Sequence, residues 1–319
     1  MELYIEKAFL DDFYASLDKR NYSLGQKALV SILTDYGEVD WFIDCPIKSP
    51  EDLERLSLDN PLFASRSNYH PPTSVESFEK HFFKHSSCEQ TLIFCVEKKD
   101  WFEEAERKGA LCFEFETFER TIEEIISKCH KRFDLFEEFP GWNWFEFFAH
   151  LPINSLIIND HYILSESSGH ILSKNLFPLL HALLNQGKKS DVQIRIHTKD
   201  FKVRPPETEE SKAERIVQKL NSIFAKSPYS FQIVTNAHAT GTPFHDRYLY
   251  SNFLIVKATR GFNLVPNAKG EDTELESSSI FDHYHYRQIN NRKRLHQKYL
   301  EKLKSPGFST LSFVSFPSF

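Results

Sequence analysis

The chain predicts an α/β protein of two regions: an N-terminal Rossmann-like layer, then a mixed-sheet domain that ends in a basic helix. Three observations lead there. Short apolar runs of β type alternate with amphipathic stretches along most of the length, the pattern of sheets covered by helices. A chain of 319 residues, 40% hydrophobic with 30 Phe, suits two cores of about 150 residues each. Charge divides unevenly between the halves. Residues 1–150 hold 30 Asp and Glu against 17 Lys and Arg, whereas residues 151–319 hold 15 against 22, so an acidic half at −13 precedes a basic half at +7. Such asymmetry points to different partners for the two halves, the basic one drawing phosphate-rich ligands. The two halves attracting each other is the alternative.

In the first region, ALVSIL (28–33) and DWFID (40–44) read as strands, and Ser49 is a good N-cap for the helix in SPEDLERL. TLIFCV (91–96) is a strand, KKDWFEEAERKG a helix closing on Gly109, and ALCFEF (110–115) a second strand, which together make a βαβ unit. Cys95 and Cys112 are expected to be buried there. A further helix starts near Thr117, with acids in its first turn and Lys128, Lys131 and Arg132 toward its end, matching the helix dipole. No GxGxxG or GxxxxGK[ST] follows any strand, which counts against nucleotide binding of those two kinds. The five cysteines never form a CxxC pair and read as reduced thiols. The first region is taken to end at residue 140. FPGWNWFEFFAHLP then supplies a packed hinge over 141–152, being too aromatic for a flexible linker.

The second region, 153–285, reads as strand NSLIIND, strand HYILS, a helix ending at Gly187, strand SDVQIRIHT, a helix after Pro205-Pro206, strand YSFQIVTN, and two paired strands in FHDRYLYSN and FLIVKATRGFNLV. Residues 286–319 hold the basic helix and a Phe-rich tail. That tail reads as a strand added to this sheet or to another protein's.

The informative segment is His245-x-Arg247-x4-Asn252, with Lys257, Arg260, Gly261 and Asn263 downstream. It keeps the spacing of the His-x-Lys-x4-Asp motif of the phospholipase D superfamily, with Arg for Lys and Asn for Asp. HDRY followed by LIVKATRGFNL most resembles the phospholipase-D-like C-terminal domain of MIT-domain proteins, over residues 150–282; the first region does not resemble a MIT bundle. The resemblance implies a domain that binds rather than hydrolyses. Its implied phosphate ligands are Arg247, Asn252, Lys257 and Arg260, and His245 is the candidate nucleophile. Arg keeps the charge and grips phosphate bidentately, but losing the carboxylate removes support for a cationic imidazole, so catalysis is the first property to fail. Three readings of His245-Asp246-Arg247 stay open: a buried polar network fixing the hairpin, phosphate binding without turnover, and turnover by two copies of His245 meeting across a homodimer.

The second candidate is YRQINNRKRLHQKYLEKLK, where Arg287, Arg292, Lys293, Arg294 and Lys298 offer a wide cationic face for nucleic acid. A basic helix docked on the acidic half is its structural alternative, and an anionic lipid surface is a weaker ligand. Asp282, His283 and His285 alternate unfavourably for a metal, and no metal or cofactor is expected. Asn159 to Tyr162 close a strand, where either function or a turn is expected.

With no apolar run of membrane-spanning length and acids in place of a signal peptide, a cytoplasmic protein is expected. The two functions carried forward are an adaptor that engages nucleic acid or a nucleoprotein, in the setting of prokaryotic antiviral defence, and a phosphodiesterase or nuclease. A protein partner is expected at the Phe-rich tail or the acidic region.

Overall fold

The computed structural model describes residues 1–17, 21–66, 71–134, 139, 141–165, 170–184, 192–198, 203, 205–223, 229–234, 247–265, 274–302 and 310–314. They fall into two compact units: 1–128 with 280–286, and 129–279 with 287–319. The division lies at 128/129 rather than at 140, because the chain joins the second unit's sheet directly after 129. Residues 280–286 belong with the first unit, where the Tyr36 hydroxyl donates to Ile280 O (2.6 Å) and the Tyr36 ring stacks on Tyr286 at 4.5 Å.

The first unit is a parallel α/β sheet. Its strands are β1 (Glu2–Ile5), β2 (Asp40–Ile43), β3 (Thr73–Ser74), β4 (Thr91–Cys95) and β5 (Ala110–Glu114), in the order β3-β2-β1-β4-β5. This is the doubly wound order, with its reversal between β1 and β4. The helices are α1 (Lys7–Ser16), α2 (Leu24–Thr34), α3 (Pro50–Asp59), α4 (Phe78–His85), α5 (Phe102–Lys108) and α6 (Phe118–Cys129). Leu3, Tyr4 and Ile5 of β1 and all five residues of β4 are buried, so both faces of the sheet are covered. Tyr4, Ile93 and Cys95 pack with Phe78, Phe82, Phe102 and Ala105 from α4 and α5. On the other face Phe94 stacks on Phe113 at 4.7 Å and meets Phe9 and Phe118 from α1 and α6.

Two expectations are corrected here. Residues 28–33 are helical, inside α2. Ser23 and Gln26 form a capping box before them, and Ala28, Leu29, Ile32 and Leu33 recur at helical rather than alternating spacing. Cys95 is buried as expected, but Cys112 is half-buried because β5 is the sheet's edge strand. Ser49 caps α3 and Gly109, at φ 109°, closes α5, both as expected. The central strand β1 was not anticipated.

At the reversal point between β1 and β4, where doubly wound sheets hold ligands, the first unit places its own carboxylate. Glu6, one residue past β1, accepts from Val96 N–H (2.7 Å) and pairs with Lys99 (2.8 Å).

The second unit is a mixed sheet in the order β13-β9-β8-β7-β10-β11-β12-β6. Its strands are β6 (Lys131–Asp134), β7 (Ser155–Asn159), β8 (Val192–His197), β9 (Tyr229–Val234), β10 (Arg247–Tyr250), β11 (Leu254–Ala258), β12 (Glu274–Ser279) and β13 (Thr310–Val314). β7, β8 and β9 run parallel, and the remaining pairings are antiparallel. The helices are α7 (His170–Lys174), α8 (Leu176–Leu184), α9 (Glu209–Ile223) and α10 (His283–Lys302), whose first turn is counted with the first unit. The expected hinge is a 3-10 helix, Trp142–His150, packed on α8 inside this unit. HYILS is a turn rather than a strand, since the Asp160 carboxylate takes Tyr162 N–H (2.8 Å) and folds the chain back. The tail strand β13 pairs with β9 of the same sheet. Gly187 lies outside the described residues.

Register sorts this sheet's side chains into two unlike faces. Leu156, Ile158, Ile194, Ile196, Leu249, Val256 and Leu275 share one and are buried. The other carries Asn159, Arg195, His197, Tyr248, Tyr250, Lys257 and Glu276, with Ile157 and Ile255 buried among them. Helix α10 lies on that polar face, through Arg292 on Tyr248 and His296 on His197. Among the described residues no helix is long and apolar enough to cross a membrane.

Candidate functional site

Two places in the second unit carry functional groups. The first is the carboxyl edge of β7, where strand order reverses toward β10. Asp160 is buried there, and its carboxylate accepts from Tyr162 N–H (2.8 Å) and Phe262 N–H (2.6 Å). Burial pushes this carboxyl above its ordinary value, while the two backbone donors and then Arg247 oppose the rise. Gly261, at φ 107°, lets the chain pass: a Cβ at that position would stand 2.5 Å from Asp160 Oδ2 and 3.0 Å from Arg247 Cδ. Arg247 Nη1 donates to Thr259 O (2.8 Å) and its guanidinium stands 5.8 Å from the Tyr162 ring centroid. Its Nε is buried with no hydrogen-bond partner among the described residues. Asn263 Nδ2 donates to Tyr162 O (3.0 Å), Thr198 Oγ1 to His161 O (3.1 Å), and the buried Lys212 ammonium to Leu164 O (2.7 Å). These bonds tie the loops after β7 and β11 to each other and to α9.

The residues expected to bind one phosphate are thus dispersed. His245 and Asp246 lie outside the described residues, so the expectation that His245 and Arg247 share a strand face lies outside them too. Arg247 opens β10 at the carboxyl edge of β7. Asn252 follows the other end of β10: its Oδ1 accepts from Asn154 N–H (3.1 Å) and Ser155 N–H (3.2 Å), and its Nδ2 donates to Asn154 Oδ1 (2.5 Å). It pins the start of β7 and does not stand beside Arg247. Arg247 pairs with Ala258, so the neighbouring Lys257 points from the opposite face, exposed and in register with Tyr248 and Glu276. Arg260 is exposed in the turn after β11.

The second place is α10. Asp282 caps it, its carboxylate accepting from the His285 backbone N–H (3.0 Å) and standing 2.8 Å from His285 Nδ1, while His283 stacks on Tyr36. That accounts for the cluster weighed as metal ligands; among the described residues no group of three His, Cys, Asp or Glu could hold a metal. Along the helix, Ile289 and His296 are buried and Arg292 and Lys293 half-buried. Arg292 Nη2 donates to the Tyr248 hydroxyl (3.1 Å), with the guanidinium 4.4 Å from the ring centroid. Arg287, Arg294 and Lys298 are exposed. Spaced seven and four residues apart, they form one outward stripe with steps of roughly 10 and 6 Å. The five expected nucleic-acid contacts therefore split into an outward three, a docked Arg292 and a half-buried Lys293.

Sequence reasoning missed what seats the helix. His296 Nδ1 stands 3.2 Å from His197 Nε2, the rings 4.2 Å apart and both buried. Beside them the Tyr250 hydroxyl is buried with no hydrogen-bond partner among the described residues, and burial holds its phenol well above the ordinary range. The two histidines are 99 residues apart, so no local pattern could have joined them.

No protein-family model, curated protein or solved structure matches the chain.

Proposed function

We propose that the chain is a non-catalytic binding module that grips the phosphate backbone of nucleic acid, alone or within a nucleoprotein, through α10. The observation that carries this reading is the outward stripe of Arg287, Arg294 and Lys298 on a helix whose other side is seated on the sheet. Cations held on a docked helix meet phosphates without first being ordered, and each contact releases condensed counterions, which makes binding salt-dependent and indifferent to sequence. Lys257 extends the basic surface on the same face of the sheet.

Phosphate binding at Arg247 is disfavoured, since that guanidinium is engaged with Thr259 O and stands beside Asp160, an acid that opposes an incoming anion. For Arg247 this favours the polar-network reading and fits a phospholipase-D-like domain that has lost turnover. Service as an adaptor in prokaryotic antiviral defence is part of the proposal and rests on the resemblance alone.

The test is a triple change, Arg287→Ser with Arg294→Ser and Lys298→Ser, measured by fluorescence anisotropy on a labelled duplex and a labelled single strand over about 50 to 200 mM NaCl. We expect weaker binding to every sequence and a salt slope lower by roughly 2.7 on duplex or 2.1 on single strand, with the melting temperature unchanged. Unchanged affinity and slope would overturn the proposal. Arg292→Ser is the contrast: it removes a docking contact, so it should lower the melting temperature and leave the slope of the residual binding alone.

A further inference from the structure

The seat of α10 brings two imidazoles together beside the Arg292–Tyr248 contact. His197 ends β8 on the polar face of the second unit's sheet, and His296 comes down from α10 to meet it, Nδ1 to Nε2, at 3.2 Å. One of these nitrogens must donate and the other accept. A neutral pair satisfies this, and so does a pair carrying one extra proton. A pair carrying two cannot, because every ring nitrogen then bears a hydrogen and two donors face each other. Docked, the pair accepts one proton fewer than two separated rings.

The surroundings add to the effect. Arg195 lies two residues before His197 on the same face of β8, and Arg292 lies one turn before His296 on the same side of α10. Both bring positive charge toward the pair. Tyr250 on β10, 5.4 Å from the His296 ring, stays neutral because burial holds its phenol well above the ordinary range. Tyr248 on β10 accepts from Arg292, and Asn159 on β7 is in register with His197. Ile289 is the buried aliphatic residue of α10, and Ile157 and Ile255 are buried on the same face of the sheet as His197.

We propose that His197 and His296 form a proton-sensitive clasp that holds α10 on the sheet at neutral pH and releases it in acid. The sign follows from linkage: the detached state binds more protons, so lowering the pH favours detachment, beginning near the ordinary imidazole value of about 6.5. The clasp stands apart from nucleic-acid binding, and its test uses no nucleic acid.

Amide exchange of the full chain, followed by mass spectrometry between about pH 8 and 5 and corrected for intrinsic rates, reads the clasp directly. Protection over 289–296 should fall by up to about tenfold per pH unit below the midpoint, the signature of one linked proton, while 91–95 in β4 holds its protection. His296→Gln and His197→Gln, each leaving a partner that can still hydrogen-bond but no second titrating ring, should flatten that fall. A wild-type profile over 289–296 that runs parallel to 91–95 would overturn the clasp, and that arm stands even if both variants fail to fold. A steep fall that persists in both folded variants would overturn it as well, by placing the proton elsewhere.

Discussion

The two sheets of this chain bury different things. Among the described residues, the first unit buries four polar side chains, Gln26, Asn60, Gln90 and Thr91. The second buries thirteen, among them Asp160, His197, Lys212 and His296. In the first unit a parallel sheet is covered on both faces by Phe-rich helices, so its interior is mostly apolar and its cost is met by area removed from water. In the second unit one sheet face is largely apolar and the other mixes polar side chains with Ile157 and Ile255, and the helix seated on that mixed face makes hydrogen bonds and sets a cation over a ring. An apolar interior stabilises and does little else. A polar interior must satisfy its groups individually, and the groups it leaves facing outward or poorly satisfied are where binding and switching reside.

The strongest way to break this comparison is to damage both interiors and compare the losses. Phe94 is fully buried between Phe113, Phe9 and Phe118, so Phe94→Ala should destabilise the first unit by about 3 to 5 kcal/mol, read as lost amide protection in β1 and β4. A loss below about 1 kcal/mol would mean that the aromatic interior is not what holds that sheet.

Gly261→Ala is the next largest. The new Cβ would meet Asp160 Oδ2 and Arg247 Cδ on a backbone at φ 107°, so about 2 to 4 kcal/mol should be lost from the second unit by denaturant unfolding. An effect no greater than that of an exposed alanine substitution would show that the Asp160 knot yields easily.

The smallest effect has the opposite sign. Tyr250→Phe removes a buried hydroxyl that has no partner among the described residues, so stability should be unchanged or higher by up to about 1 kcal/mol. A loss of more than about 1 kcal/mol would show that the hydroxyl is satisfied and that the polar face is better sealed than the comparison holds.

The alternation of runs, the βαβ unit at 91–115 and the caps at Ser49 and Gly109 were legible because each is encoded within a dozen residues. Residues 28–33 misled because an apolar run looks alike in a buried strand and a buried helix; the capping box at Ser23 and Gln26 was the local signal that separates them. The outward stripe on α10 was half legible. Its charges are plain in the sequence, but which of them turn inward depends on the helix's rotation, and that is set by what it meets.

By itself, the sequence determined the α/β class, the acidic and basic halves and a long basic helix near the end, since composition and periodicity are local properties of the chain. Only the tertiary structure decided that Asn252 stands at the far end of β10 from Arg247, that Arg292 is docked rather than presented, and that His197 meets His296. The physical reason is register. Which residues share a sheet face, and which helix side lies on it, is fixed by pairings between segments tens to a hundred residues apart, and no window along the chain contains both partners.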